Sequence, residues 1–413
     1  MFKKHFRMSE NDAITYAREK LDFFSPEDEL DCKEIGDGNV NYVFRVFSRN
    51  SDRSIIVKQA DINTRLGYRE LDLGRARIEA ELLQIEARYA GGMVPKFYLF
   101  DPVMACFVME DLTGHEIMRY AVMREESFPG FAEDISTFMA ETLINTTDFV
   151  LGPYEKKDMV KHFVNSDMCE ISERLVYTEP YTVPVEKGGV ADGNIDYVNN
   201  DLQKDEHLIN EVGKLKLDFM NNAQALIHGD LHTGSIFIKP DSMKVIDPEF
   251  AFFGPIGYDT GNVIANLMFA WARALVSPIE DSEKHAKFLE WVESTVRDTV
   301  DFFRQKSQKI LTEKTTDPMF VSSELQSWYI DSLIADTAGV AGLEINRRII
   351  GMAKVKDITT IEDQDKRARA ERILMETARN MIIERLSYKT GSDFIETVNK
   401  FEAETRSNFK KGN

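Results

Sequence analysis

Two stretches of the 413-residue chain hold residue types that could do chemistry together. In Ile227-His-Gly-Asp-Leu-His-Thr-Gly-Ser-Ile236 an aspartate, Asp230, sits in a turn beside apolar runs. In Val245-Ile-Asp-Pro-Glu-Phe250 a second aspartate, Asp247, is followed two positions on by Glu249. Transfer of a phosphoryl group to a hydroxyl needs a carboxylate to orient the attacking oxygen and take its proton, and further carboxylates to hold magnesium against the phosphates. Asp230 and Asp247 stand seventeen positions apart with a hairpin pattern between them, so two strand-flanking turns can present them to one place. Taken singly, each motif is as well explained by an ordinary turn; order and spacing together carry the reading. His228 and His232, four apart, invite a metal site. They flank a glycine-bearing loop with no third ligand, and His228 reads as a structural hydrogen-bonder.

Upstream lie the parts that a nucleotide would need. Ile35-Gly-Asp-Gly-Asn-Val-Asn-Tyr42 joins two strand-like runs with small, turn-forming residues, so the backbone N–H groups of Gly36, Asp37, Gly38, Asn39 and Asn41 can approach phosphate closely. As a G-x-G-x-x-G motif it is weak, because Asn41 stands where the third glycine would be; a plain hairpin is the alternative. Lys58 ends the strand-like Ser54-Ile-Ile-Val-Lys-Gln59, where an ammonium could meet α- and β-phosphates. Its expected partner is Glu79 of the helical pattern Arg75-Ala-Arg-Ile-Glu79, with Glu81 as the fallback. Glu110-Asp-Leu112 follows an apolar strand, which is where Glu110 and Leu112 would offer adenine backbone hydrogen bonds; order alone places them there.

The elements that must position these residues fall into two groups. Over 1–112, β-branched and aromatic runs at 42–47, 54–59 and 105–109 predict a small sheet, and the spacing of Ile78, Leu82 and Ile85 predicts one helix over 75–89. Past a hinge at about 108–114, residues 113–413 show three- and four-residue apolar spacing at 131–143, 263–275, 288–303, 325–345 and 373–386. A hairpin, 235–238 and 243–246, interrupts that helical pattern. The expectation is an α+β, two-lobed chain with a β-rich front lobe and a larger, mostly α rear lobe. The polar, glycine-containing stretch 186–206 predicts an exposed loop.

Composition narrows the function classes. With 51 basic and 70 acidic residues the formal charge is −19, which repels polyanions, so nucleic acid and anionic membrane are excluded as general partners. No run of about 18 apolar residues is present to span a bilayer, and residues 1–7 lack the apolar core of a secretory signal, so a cytoplasmic protein is expected. Cys32, Cys106 and Cys169 are scattered and receive no role.

On these motifs the chain resembles the protein-kinase-like, aminoglycoside-phosphotransferase-like small-molecule kinases and, within them, the methylthioribose kinase family, from about Ile14 to Lys400. The resemblance rests on Gly36-Asp-Gly-Asn-Val-Asn-Tyr-Val-Phe44, Arg75 to Glu79, Val108 to Leu112, His228 to Ser235, Asp247-Pro-Glu-Phe-Ala251 with Gly254 to Asp259, and Arg347-Arg348 before Gly351. Ser235, in place of the metal-binding Asn of protein kinases, and Asp-Pro-Glu, in place of Asp-Phe-Gly, are departures that this family shares. The resemblance implies ATP and Mg2+ as cofactors, Asp230 as catalytic base, and Asp247 and Glu249 as magnesium ligands. It also implies that Lys58 and the loop from Gly36 to Asn41 hold ATP, and that Arg347 and Arg348 reach the sugar and the transferring phosphate. A homodimer acting on the 1-hydroxyl of 5-methylthioribose follows from it. A kinase for 5-deoxyribose or another 5-modified pentose is the near alternative, since one apolar substituent changes selectivity by only ~1–3 kcal/mol. An inactive kinase-like scaffold is the alternative from a different class, against which the presence of Asp230, Asp247 and Glu249 argues.

Overall fold

The computed structural model describes residues 2–36, 41–63 and 70–411, the last five as backbone alone. The front part is built on a five-stranded antiparallel sheet in the order β1-β2-β3-β5-β4, from β1 (Leu30–Ile35), β2 (Tyr42–Ser48), β3 (Ser54–Gln59), β4 (Phe97–Asp101) and β5 (Cys106–Glu110). Strand alternation divides its side chains between two faces. Ile55, Val57, Cys106 and Val108 pack with α1 (Glu10–Lys20) on one face, while Ile56, Phe107 and Met109 join α2 (Arg75–Ala90) and the main core on the other. Burial of each such aliphatic side chain is worth about 1.5–3 kcal/mol. Lys58 shares parity with Ile56, so the pleat that buries Val57 beneath α1 turns Lys58 toward α2.

One helix was expected beside this sheet; the structure has two. The missed α1 is capped by Ser9, whose Oγ accepts from Asp12 N (3.3 Å) while Ser9 N donates to Asp12 Oδ2 (2.9 Å). That reciprocal pair is a start signal readable in Ser9-x-x-Asp12. The helix buries only Ala13, Tyr16 and Ala17, too thin an apolar stripe to show as a periodic pattern.

The rear part contains α3 (Met118–Met123), α4 (Phe131–Met139), α5 (Pro153–His162), α6 (Ser166–Leu175), α7 (Glu179–Thr182) and α8 (Glu206–Asn221), then α9 (Gly257–Val276), α10 (Ser282–Lys314), α11 (Ser323–Ile349), α12 (Lys356–Thr359), α13 (Gln364–Ile383) and α14 (Gly391–Lys411). Short strands interrupt them: β6 (Glu116–Ile117), β7 (Ala225–Ile227), β8 (Ile236–Lys239), β9 (Ser242–Val245) and β10 (Phe252–Gly254). β8 and β9 form the expected hairpin, β6 pairs with β8, and β7 pairs with β10. The loop 228–235 therefore leaves β7 and the loop 246–251 leaves β9, and the two meet where Ile246 N donates to Ser235 O (2.9 Å). α11 is seated by glycine: a Cβ on Gly261 of α9 would stand 2.7 Å from Ala341 N, and one on Gly342 of α11 would stand 2.5 Å from Ala378 O of α13.

The stretch 186–206 is not the exposed loop its polarity predicts. It contains short helical turns at 192–194 and 197–202, with Val190, Ala191, Asn194, Val198 and Leu202 buried. Asn194 Nδ2 donates to Ala368 O (2.9 Å), and Ala191 N donates to Glu371 Oε2 (2.9 Å), which docks the segment on α13. The four-residue spacing of 190, 194, 198 and 202 was the signal, masked by Gly-Gly and Asn-Asn pairs.

Candidate active site

Lys58 projects from β3 into a cleft of about 260 Å3 between the front sheet and the β8–β9 hairpin. Its Nζ lies 2.5 Å from Glu79 Oε1 of α2 and also meets Asp247 Oδ1 of the rear part. Burial works against the ammonium, but Asp247, Glu79 and then Glu249 outweigh it and raise its pKa, so Lys58 stays charged. The fallback Glu81 is engaged elsewhere, with Arg77 Nη1 (2.9 Å) and His162 Nε2 (2.5 Å).

The cleft is apolar at one end and charged at the other. Ile35, Val43 and Ile56 from the sheet face Phe237 and Ile246 from the hairpin, which leaves a slot for a flat ring; Lys58, Asp247 and Glu249 line the charged end. Glu110, Asp111 and Leu112 line the edge. The Glu110 carboxylate accepts from Lys96 N (3.0 Å) and so ties down the β4–β5 end, while Leu112 O accepts from His115 N (3.0 Å). Of the glycine loop, Asp37, Gly38 and Asn39 lie outside the described residues. Gly36 has open space where a Cβ would be. Asn41 is buried, and its side chain serves a neighbour: Nδ2 donates to Glu249 Oε2 (2.7 Å), and Oδ1 accepts from Arg75 Nη2 (3.1 Å).

Asp247 and Glu249 offer the hard oxygen donors that magnesium takes. Asp247 adopts φ +75°, a strained conformation for a non-glycine residue that aims its carboxylate at the cleft. Burial first, then the nearby Asp247 carboxylate, push the Glu249 carboxyl upward, a repulsion that a divalent cation would relieve. Among the described residues no three His, Cys, Asp or Glu side chains are grouped to hold a metal by themselves. Two carboxylates fit magnesium, which is commonly bound through one or two carboxylates, and Asp247 and Glu249 are the residues that would hold it.

Asp230 belongs to an adjoining cluster. His228 binds the two loops together: Nδ1 accepts from Asp230 N (3.2 Å), so its ring proton sits on Nε2, which donates to Ile246 O (2.9 Å). Burial lowers the His228 pKa to about 4, so this neutral form persists at neutral pH. The turn needs glycine at 229, where φ is +80° and a Cβ would meet Phe250 O at 2.4 Å. Beneath it the buried Asp259 accepts from His228 N (2.7 Å) and Gly229 N (2.9 Å). Burial would raise the Asp230 carboxyl, yet His232 and then Arg347 and Arg348 hold it well below the usual carboxylate range. His232 Nε2 is 3.4 Å from Asp230 Oδ2, and Arg348 Nη2 is 3.9 Å from Oδ1. Because His232 Nδ1 accepts from Gly234 N and Ser235 N, its ring proton faces Asp230. Ser235 is buried behind this histidine, its Oγ 3.3 Å from Nδ1.

Arg347 and Arg348 end α11 and are fixed from within the helix, through Arg347 Nη1 to Glu344 Oε2 (3.1 Å) and Arg348 Nε to Glu344 Oε1 (2.6 Å). Sequence reasoning missed Glu344, although its three- and four-residue spacing to the arginines was visible. It quoted Asp259 and Arg75 within motifs but gave them no role, and it missed Arg119. Arg119, in α3, acts electrostatically on Arg348, Glu344 and Asp230, and a lone arginine after the hinge leaves no motif.

Residues 31–291 match the family described as "Phosphotransferase enzyme family". A methylthioribose kinase of Escherichia coli O45:K1 (strain S88) is 36% identical over 387 residues, covering 90% of this chain and 91% of its own. A methylthioribose kinase of Geobacillus thermodenitrificans (strain NG80-2) is 37% identical over 384 residues, covering 91% and 92%. With matches of that length spanning the cleft, the loops of Asp230 and Asp247 and the arginine pair, the chain belongs to the phosphotransferase enzyme family and, within it, to the methylthioribose kinases.

Proposed function

We propose that the protein transfers the γ-phosphoryl group of ATP to the anomeric hydroxyl of 5-methylthioribose, giving 5-methylthioribose 1-phosphate, a step of methionine salvage. The observation that carries this reading is convergence: Lys58 meets both Glu79 and Asp247, while His228 ties the loop of Asp230 to the loop of Asp247. In this reading adenine fills the slot between Ile56 and Ile246 and bonds the backbone at Glu110 to Leu112. Lys58 and the loop from Gly36 to Asn41 take the phosphates. Asp247 and Glu249 hold magnesium, which when bound neutralises phosphate charge.

Asp230 accepts a hydrogen bond from the 1-hydroxyl and aims that oxygen at the phosphorus. Its low pKa keeps it ionised, and a weak base suffices for two reasons. The ring oxygen makes an anomeric hydroxyl more acidic than an ordinary alcohol, and a loose phosphoryl-transfer transition state needs little proton removal until the new bond forms. Arg347 and Arg348, held by Glu344, face the sugar and the developing charge. Intact Asp230, Asp247 and Glu249, each with partners suited to this task, weigh against an inactive scaffold.

The test is ADP release from Mg·ATP with 5-methylthioribose, with the product identified by 31P NMR as the anomeric phosphate; absence of release contradicts the reading. Side-by-side kcat/KM values for 5-deoxyribose settle the near alternative. Family resemblance further implies a homodimer, for which sedimentation should give twice the 47.3 kDa chain mass.

A further inference from the structure

Arg119 joins the catalytic loop to α9 and α12. Its backbone N donates to Thr233 O (3.1 Å), its Nη2 donates to Asn266 Oδ1 (2.9 Å), and its Nε faces Asp357 Oδ2 at 3.4 Å. The guanidinium is thereby clamped along one edge. Asp357 is 1% exposed, and neither carboxylate oxygen is hydrogen-bonded among the described residues, so it serves as a counter-charge more than a directional partner. The other edge is free: Nη1 has no hydrogen-bond partner among the described residues and lies 3.3 Å from where a Cβ of Gly234 would stand. Gly234 lines the nucleotide cleft with Lys58, Asp247 and Glu249. Asp230 and Arg348, of the neighbouring cluster, act on the charge of Arg119. A fixed cation therefore stands at the junction of cleft and acceptor cluster, and a donor already in place needs no reorganisation as charge develops.

We infer that Arg119 Nη1 contacts the phosphoryl group as it passes from ATP to the hydroxyl held by Asp230, making Arg119 a catalytic residue of this chain. The inference rests on the phosphoryl-transfer reading above. In that step the bond from the γ-phosphorus to the ADP oxygen breaks, the bond to the sugar oxygen forms, and the hydroxyl proton passes to Asp230. Arg119 donates hydrogen bonds and keeps its protons.

The experiment compares the parent with Arg119→Met and with Arg119→Met/Asp357→Asn, the second variant removing the buried charge that the first strands. In each protein Tm, kcat, sugar KM and Mg·ADP affinity with and without aluminium fluoride are measured. The expected result is that the double variant regains Tm while both variants lose about 10²–10³-fold in kcat, the usual scale for one transition-state donor. Sugar KM and plain Mg·ADP affinity should change little. The tightening of Mg·ADP that aluminium fluoride and sugar produce in the parent should vanish in both variants. A double variant that regains kcat together with Tm, or that keeps the aluminium fluoride tightening, overturns the inference and leaves Arg119 a structural partner of Asp357. Parental ADP release with methylthioribose separates the two claims: without it the proposed function falls and this inference with it, whereas release accompanied by an unimpaired double variant overturns the inference alone.

Discussion

His228 uses both ring nitrogens to fasten the loop of Asp230 to the loop of Asp247, and it does so as the neutral imidazole. The unfolded chain binds a proton at the ordinary histidine value near 6.5, while the buried ring resists it down to about 4. The stability that His228 contributes is thus complete above pH 6.5 and is lost as pH falls toward 4, an effect on the order of 3 kcal/mol at its limit. The Tm advantage of the parent over His228→Gln should shrink across that window; a gap independent of pH would show that the ring is not held neutral. At this scale the sequence was most informative where chemistry dictates residue type. Lys58 and Glu79 were readable from a strand-like run and a helical pattern, and Asp230 and Asp247 from two turn motifs in fixed order and spacing. Arg119 and Asp259 were not, since their importance lies in partners 30 or more positions away, such as His228 for Asp259 and Asp357 for Arg119.

Among the elements, α11 has the most exacting task, because Arg347 and Arg348 must end it at a fixed depth. Its seat against α13 depends on Gly342, where a Cβ would face a backbone carbonyl that cannot swing aside. Gly342→Ala should therefore destabilise the protein by about 1–3 kcal/mol in denaturant unfolding, the usual range for overpacking, and raise the sugar KM more than the ATP KM. Gly213, exposed on α8 with no atom within 4 Å of its Cβ position, is the contrast. Gly213→Ala should stabilise by roughly 0.5–1 kcal/mol through helix propensity alone. If the two alanines behaved alike, packing would not be what positions α11. The elements legible beforehand were those with a strong apolar stripe, such as α4 and α10, or β-branched runs, such as β3. The segment 186–206 and α1 escaped because each packs through a few small or polar side chains, Asn194 and Ala13 among them, whose burial depends on tertiary partners more than on local pattern.

Across the whole molecule, a chain of formal charge −19 must admit a polyanionic nucleotide. Lys58 is shared between two carboxylates, and Arg347 and Arg348 are held by Glu344, so the local cations are largely offset before substrate arrives. Global repulsion should then govern approach. Association of Mg·ATP in stopped flow should quicken as ionic strength rises from ~0.01 to ~0.15 M, over which the Debye length falls from ~30 to ~8 Å. Slowing instead would mean that the site's own cations steer the nucleotide. One contiguous apolar core runs from Ile56 and Phe107 of the sheet to Ile382 of α13, so the two halves of the cleft are built on shared packing. The most direct test of that joint site is Asp230→Asn, assayed for Mg·ATP binding and for methylthioribose turnover in the same preparation. Nucleotide affinity should stay near the parent's while kcat falls ~10²-fold or more, the scale of general-base assistance. Parental kcat in the variant would contradict the account.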